Sequence, residues 1–494
     1  MKIKVFIVLF FSLAQGDIGH YNFTFEGKVF NNTIRALVKP PGVVPGVANI
    51  TIKTFNQSID SVKIQPIKWH GEISGYPHLK AGPQGAPPSE LMNKLEHLGN
   101  FFEGELWLMD FGAYNINVEL FKDGVSEIVN IPINSIATQI NPMSFQTSIV
   151  LFCFMLLLLF GATNIITIAY RESTISYNNK VADGRIKQSK LVMLISFCIL
   201  VCILYIGNEW WNDIEKSYRE NLYIPMENEV QIISNNKQNI LQIFFTDELW
   251  LNGMIPDLMP DHGKIMHLYL IHEDYSQLCH LHPNRNDADN NLFEVVLPDI
   301  KYGKYYLYMD ITLESGFSTT LINQIDYDLE NIQKIKYDYL ISDIDDSYIS
   351  NDLNYIIKWL NEKKYFNINE DINLTFQTQN LTGHPTVIEP YIQMGGHGAI
   401  LKNDHSIFIH IHPIGTISMA SQELYNQNDE IESSGICYFG SPDDSLKIYL
   451  EDEKSILNFP PINLEQPGDY IMWIQAKSMG EIITQKFDFT VLSE

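Results

Sequence analysis

Two stretches decide the fold: His267-Leu-Tyr-Leu-Ile-His272-Glu-Asp-Tyr-Ser-Gln-Leu-Cys279-His280-Leu-His282-Pro283, and His397-Gly-Ala-Ile-Leu-Lys-Asn-Asp404-His405-Ser-Ile-Phe-Ile-His410-Ile-His412-Pro413. A single offset of about 130 residues aligns His267 with His397, His280 with His410, His282 with His412 and Pro283 with Pro413. The same offset pairs Gly253 with Gly383 and Pro260 with Pro390. Such a run of matches reads as a tandem duplication. Each copy has an apolar run opening on His, a polar turn (Glu273-Asp274 or Asn403-Asp404) and a second apolar run closing on His-x-His-Pro, which predicts a β-hairpin.

Strand parity carries the chemistry. Residues i and i+2 share a face, so His280 and His282 point together, as do His410 and His412. An even turn sets His267 across from His280 and His397 across from His410, with Cβ atoms roughly 5 Å apart. The candidate metal ligands are therefore His267, His280 and His282 in one site and His397, His410 and His412 in another. An all-imidazole set suits copper, zinc or nickel. His262 and His405 fall on loop or turn positions and rank lower. Met266, Met394 and Met419 lie near the triads and would favour copper if turned inward; as core filler they would carry no chemistry. The competing reading keeps the histidines as internal hydrogen-bonders of a structural module.

Working outward, the chain has 494 residues, enough for three or four domains, and 45% of them are hydrophobic. Its formal charge of −26 argues against nucleic acid, which needs clustered Lys and Arg. Residues 1–16 read as a signal peptide, with Lys2 and Lys4 before an apolar run and small residues after it. Ile149 to Ala169 and Leu191 to Gly207 are apolar runs of membrane-spanning length. The loop between them, 170–190, carries Arg171, Lys180, Arg185, Lys187 and Lys190, which places it in the cytoplasm and both large flanking regions on the other side. A short Trp-rich helix, Asn208 to Asn221, is expected along the membrane surface.

The remaining segments read as β-structure. Residues 17–146 alternate in short runs (Thr33–Val38, Ala48–Phe55, Ser61–Trp69) around a Pro/Gly-rich loop, Lys80 to Leu98, and end on strands Gly104–Met109 and Tyr114–Phe121. His70, His78 and His97 flank that loop without regular spacing. Residues 222–325 form the first repeat, 326–366 an acidic connector and 367–494 the second repeat, with an insertion expected at Gln422 to Asn458. Cysteine usage implies no disulfide framework: Cys153, Cys198 and Cys202 fall in the spans, leaving Cys279 and Cys437 outside.

The strings Asp261-His262-Gly263-Lys264-Ile265-Met266-His267 with His280-Leu281-His282-Pro283, and Glu389-Pro390-Tyr391-Ile392-Gln393-Met394-Gly395-Gly396-His397 with His410-Ile411-His412-Pro413, resemble exported bacterial proteins of the YtkA-like and FixH-like group. Glu105-Leu106-Trp107-Leu108-Met109 with Gly112-Ala113-Tyr114 resembles their strand-rich terminal motif. The resemblance implies immunoglobulin-like or cupredoxin-like sandwiches; the duplication and the two apolar runs arrange them as one N-terminal and two tandem C-terminal sandwiches joined through a two-helix transmembrane hairpin. It also implies a role near periplasmic copper and a copper-enzyme or membrane partner. A blue-copper site is not expected, because Cys279 alternates to the face opposite the histidines.

Enzyme signatures are missing: there is no Gly-x-Ser-x-Gly, no phosphate-binding loop and no His-Glu-x-x-His. The strand-rich pattern also opposes a metal-dependent hydrolase barrel. The sequence thus predicts a non-enzymatic protein of a bacterial inner membrane, its large domains extracytoplasmic, binding copper (or zinc) for sequestration, sensing or delivery. The alternative is a structural or protein-interaction module.

Overall fold

The computed structural model describes residues 22–493 apart from 31, 56–58, 70–85, 96–98, 177–178, 235–237, 329–331, 335–353, 362 and 427–454. The signal peptide, His70, His78, His97 and Cys437 lie outside the described residues. The chain is mainly β, with antiparallel sheets on either side, in sequence, of two long apolar helices. It divides into a β unit (residues 1–136 and 224–494) and a helical unit (137–223).

The N-terminal part of the β unit is a two-sheet sandwich. One sheet joins Phe23–Val29, Asn32–Lys39, Gly46–Thr54, Phe101–Leu108 and Asn93–Lys94; the other joins Glu90–Leu91, Ser61–Lys68, Gly112–Lys122 and Val125–Ser135. Period-two burial explains why these segments become strands: Ile34, Ala36 and Val38 point inward from one, and Ile116, Val118 and Leu120 from another, to a shared core. Phe23–Val29 and Val125–Ser135 were not expected from the sequence. Part of the expected loop, Glu90–Lys94, is built into two short edge strands.

The two repeats have one topology. In the first, Leu292–Val296, Asn239–Phe245 and Asn228–Ser234 lie side by side, facing a sheet of Ser318–Tyr327, Gly303–Leu313, His267–His272 and Leu278–Leu281. In the second, Ile456–Asn463, Asp371–Asn380 and Tyr355–Trp359 match the first sheet, and Glu481–Leu492, Gly468–Ser478, His397–Lys402 and Phe408–Ile411 match the other. Both are immunoglobulin-like sandwiches, as expected. The second begins earlier than read from the sequence, because Tyr355–Trp359 pairs with Asp371–Asn380 and Tyr365–Asn367 with Thr490 to Leu492. The expected insertion, Gln422 to Asn458, falls in the connection 412–455, whose counterpart in the first repeat is the shorter 282–291; only its end differs, because Ile456–Asn463 is a core strand.

The hairpins meet each other. Every residue of His267–His272 is buried, which a strand achieves only when both faces are covered. Leu268, Leu270 and Cys279 face their own sandwich core; Tyr269, Ile271 and Leu278 face Ala399, Leu401, Phe408 and Trp473 of the second repeat. Tyr308 stacks on Phe408 with centroids 4.3 Å apart. The histidines lie at one end of this inter-repeat core.

The helical unit holds α1 (Phe145–Glu172, 28 residues) and α2 (Asp183–Glu220, 38 residues). Both are long and apolar enough to cross a membrane, and Leu157, Leu158, Ile203 and Ile206 are exposed, as lipid-facing residues would be. Phe160 stacks on Phe197, and the Arg185 guanidinium donates to the Tyr170 carbonyl across the hairpin. The surface helix expected at Asn208–Asn221 is instead the continuation of α2, and much of the 170–190 loop is helical. Nothing at Gly207 stops the helix, because the following residues include no proline.

Candidate metal centre

The hairpin register differs from the expected one by two residues. Tyr269 pairs with His280 and Leu268 with Leu281, so His267 falls opposite His282; Ala399 likewise pairs with His410, placing His397 opposite His412. The four-residue turns, Glu273 to Ser276 and Asn403 to Ser406, are longer than the two-residue turn assumed, with His272 N–H bonded to the Gln277 carbonyl and Lys402 N–H to the Ile407 carbonyl. A shift of two preserves parity, so all three rings of each hairpin stay on one face.

That face is shared. The six histidines form a single buried cluster between the repeats, and His262 joins it as a seventh. None is more than 8% exposed. Two sets have ligand atoms mutually within 4.8 Å: His267, His280 and His282, all from the first hairpin, and His262, His397 and His412, which combine both repeats. His410, expected to complete the second triad, has its Nδ1 on Asp310 Oδ2 at 2.9 Å and its ring 4.1 Å from that of His412. His405 lies outside the cluster, held between the hydroxyls of Tyr275 and Tyr308.

The partners of the first set favour one choice of tautomers. Gln475 Nε2 donates to Thr484 Oγ1, so its Oε1 accepts from His280 Nδ1 at 2.8 Å. His267 Nε2 donates to the Asp261 carbonyl at 3.1 Å. Each neutral ring then keeps its remaining nitrogen as a lone-pair donor, and these two atoms, His267 Nδ1 and His280 Nε2, face each other 3.1 Å apart. Two lone pairs at that distance repel unless a proton or cation lies between them. Bonds of about 2.0–2.1 Å to a tetrahedral ion place two nitrogens at about this separation.

The supporting residues follow the duplication. Asp310 sits opposite His267 in the sheet and Gln475 opposite His397. Each reaches across to the other repeat: Asp310 orients His410, and Gln475 orients His280. Thr320 Oγ1 donates to the second oxygen of Asp310. Such partners set the tautomer and basicity of metal-binding imidazoles.

Burial, reinforced by the neighbouring rings, holds His267, His397 and His412 well below the ordinary imidazole range, so they are neutral and able to ligate. Burial lowers His262 too, against the opposing pull of Asp261. No hydrogen bond reaches either ring nitrogen of His262 or His397. An unpaired buried polar atom costs about 1–3 kcal/mol, a cost that coordination would remove.

The methionines near the triads do not turn toward the histidines, and Cys279 lies on the opposite face, as the alternation implied. Met266 belongs to the first sandwich core, and Met394 and Met419 pack with Ile414 in a small apolar cluster. Cys279 faces the sandwich core, where burial pushes its thiol up to about 12. Three contributors were missed or ranked low: His262, whose counterpart at the fixed offset is Ile392, and the orienting pair Asp310 and Gln475. Tyr269 is a further one, its ring stacked 4.3 Å from that of His280 and its hydroxyl buried without a hydrogen-bond partner.

The N-terminal sandwich closes over the cluster. After His412, the chain runs along the edge strand of that sandwich: Glu26 N–H donates to the Ile414 carbonyl and Thr416 N–H to the Thr24 carbonyl. A cavity of about 30 Å³ remains, lined by Asp310, Thr320, His410, His412, Thr416 and Ser418 among others. It is large enough for water-sized species.

A family model described as a domain of unknown function (DUF8832) matches residues 352–493, the second repeat. No curated protein matches the sequence. Among solved structures, similarity is found to the tetra-tandem repeat in the extending region of a large adhesion protein (7% identity, 91% of this chain and 71% of that one, TM-score 0.15). Similarity extends to dimeric latent PorU from Porphyromonas gingivalis (8%, 91% and 32%, 0.15) and a putative membrane anchored protein from Corynebacterium diphtheriae (9%, 94% and 92%, 0.14). The chain thus spans about a third of the PorU chain. At such scores these likenesses carry no argument about function.

Proposed function

We propose that this chain is a membrane-anchored protein of a bacterial inner membrane whose exported tandem β-domains retain a transition-metal ion between them, with copper preferred. The observation that carries the reading is the opposed pair of ring nitrogens, His267 Nδ1 and His280 Nε2, 3.1 Å apart, with the other nitrogen of each ring facing an oxygen acceptor. The metal would be held by His267, His280 and His282. Three imidazoles suit copper and zinc alike. Burial without an anionic ligand favours the singly charged ion, since a buried net charge is costly. The resemblance to YtkA-like and FixH-like proteins, carried by the same histidine strings, is what points to copper among the metals that fit.

Full burial of the ligands favours a retained ion over one passed rapidly to a partner, so of the roles the sequence suggested, sequestration fits best. The two apolar helices would anchor the protein, and an even number of spans would keep both β regions on one side of the membrane. The rival reading, an interaction module with structural histidines, draws on the cross-repeat bonds His280–Gln475 and His410–Asp310, which would staple the repeats without a metal. Elemental analysis of the full chain, purified in detergent without chelators, separates them. The metal reading expects bound copper whose amount falls in His267→Ala and His280→Ala; protein that stays metal-free and binds Cu(I), Cu(II) and Zn(II) no better than those variants would establish the rival.

A further inference from the structure

We infer that the cluster is a two-ion centre, the second ion held by His262, His397 and His412 and therefore shared between the repeats; this rests on the metal reading above. Seven imidazoles exceed what one ion takes: a tetrahedral site uses four ligands at most, leaving at least three buried rings unserved. Of the rings left over, His410 is held by Asp310, whereas His262 and His397 are not satisfied. His262 and His397 have no hydrogen bond to either nitrogen, and His397 is wholly buried. With His412 they place three ligand atoms within 4.8 Å of one another, the same compactness as the first set.

The two sets abut. The His267 and His397 rings stack with centroids 6.3 Å apart, and His262 meets His267 edge-on at 5.9 Å. Asp261 serves both: its carbonyl accepts from His267, and its carboxylate lies 3.5 Å from His262 Nε2. The carboxylate is itself fixed by Ala420 N–H of the second repeat. It supplies negative charge beside an otherwise neutral donor set.

His262 is what breaks the symmetry. In each repeat a tight turn precedes the first hairpin strand, bridged Asp261 to Lys264 and Tyr391 to Met394. His262 and Ile392 occupy the same place in it, with φ of 52° and 48°. The first repeat thus lends a ligand that the second lacks, and the second ion needs both.

The test uses the full-length protein in detergent, loaded with copper alone and oxidised. About two coppers per chain are expected, and neighbouring Cu(II) ions should broaden each other's paramagnetic resonance lines through their dipolar interaction. His262→Ile copies the residue that the matching turn of the second repeat already accommodates; it should leave about one copper per chain with the sharp spectrum of a lone ion. One copper per chain in the native protein, with a spectrum that His262→Ile does not change, would overturn the pair and leave the single-ion reading intact. No copper at all would overturn both. The copper count and line shape of the native chain decide even where the variant loses both ions.

Discussion

At the scale of single residues, the centre depends on side chains that never need to touch the metal. Gln475 and Asp310 hold His280 and His410 by their Nδ1 atoms, so that each ring presents Nε2 to the cluster. Gln475→Leu keeps most of the volume and removes the acceptor, which should weaken copper binding about 10- to 100-fold in competition with a chelator. Unchanged affinity would mean that His280 is not a ligand. The acid response follows from burial. His267, His397 and His412 are held well below the ordinary value in the folded chain, so as pH falls below about 6.5 the unfolded chain takes up protons that the folded chain refuses. The sign is a loss of stability toward acid. Metal-free protein should therefore melt at progressively lower temperature between about pH 7 and 5, and copper should move that limb to lower pH. A melting temperature that is flat across this window without metal would contradict it.

Among the elements, the segment after His412 has the most demanding geometry. Gly415 has φ of +125°, and a Cβ there would lie 1.9 Å from the Thr24 carbonyl oxygen. No side chain fits while the segment pairs with Phe25. Gly415→Ala should cost roughly 1–3 kcal/mol in denaturant unfolding and loosen the cover over the cavity beside His410 and His412. A variant as stable as the native chain would show that the pairing is dispensable. The hairpin strands show what alternation resolves and what it leaves open. Parity put His267, His280 and His282 on one face correctly, yet the cross-strand partner of His267 depended on turn length, and a four-residue turn moved it from His280 to His282. Hydropathy located both helices but set the end of α2 too early, since Glu209, Asp213 and Glu215 end the apolar run without ending the helix.

For the whole molecule, the expectation concerns topology. If both β regions are exported, an epitope inserted after Ser176 should be reached by antibody only after the inner membrane is permeabilised. Detection in intact spheroplasts would reverse the orientation. The membrane fraction should also retain the protein through alkaline carbonate washing, because the exposed leucine and isoleucine faces of α1 and α2 otherwise meet water.

The sequence by itself determined the duplication, the strand-rich class, the two apolar helices and the common face of each hairpin's histidines, because each is written in short-range periodicity or in a fixed offset. Only the tertiary structure decided that the two faces close on each other, that His262 enters from a turn whose counterpart is Ile392, and that Asp310 and Gln475 each steady a ring of the opposite repeat. The physical reason is that alternation along a strand specifies which side a ring leaves, whereas its neighbours across a sheet-to-sheet interface are chosen by the packing of Tyr269, Tyr308, Phe408 and Trp473, residues far apart in the chain.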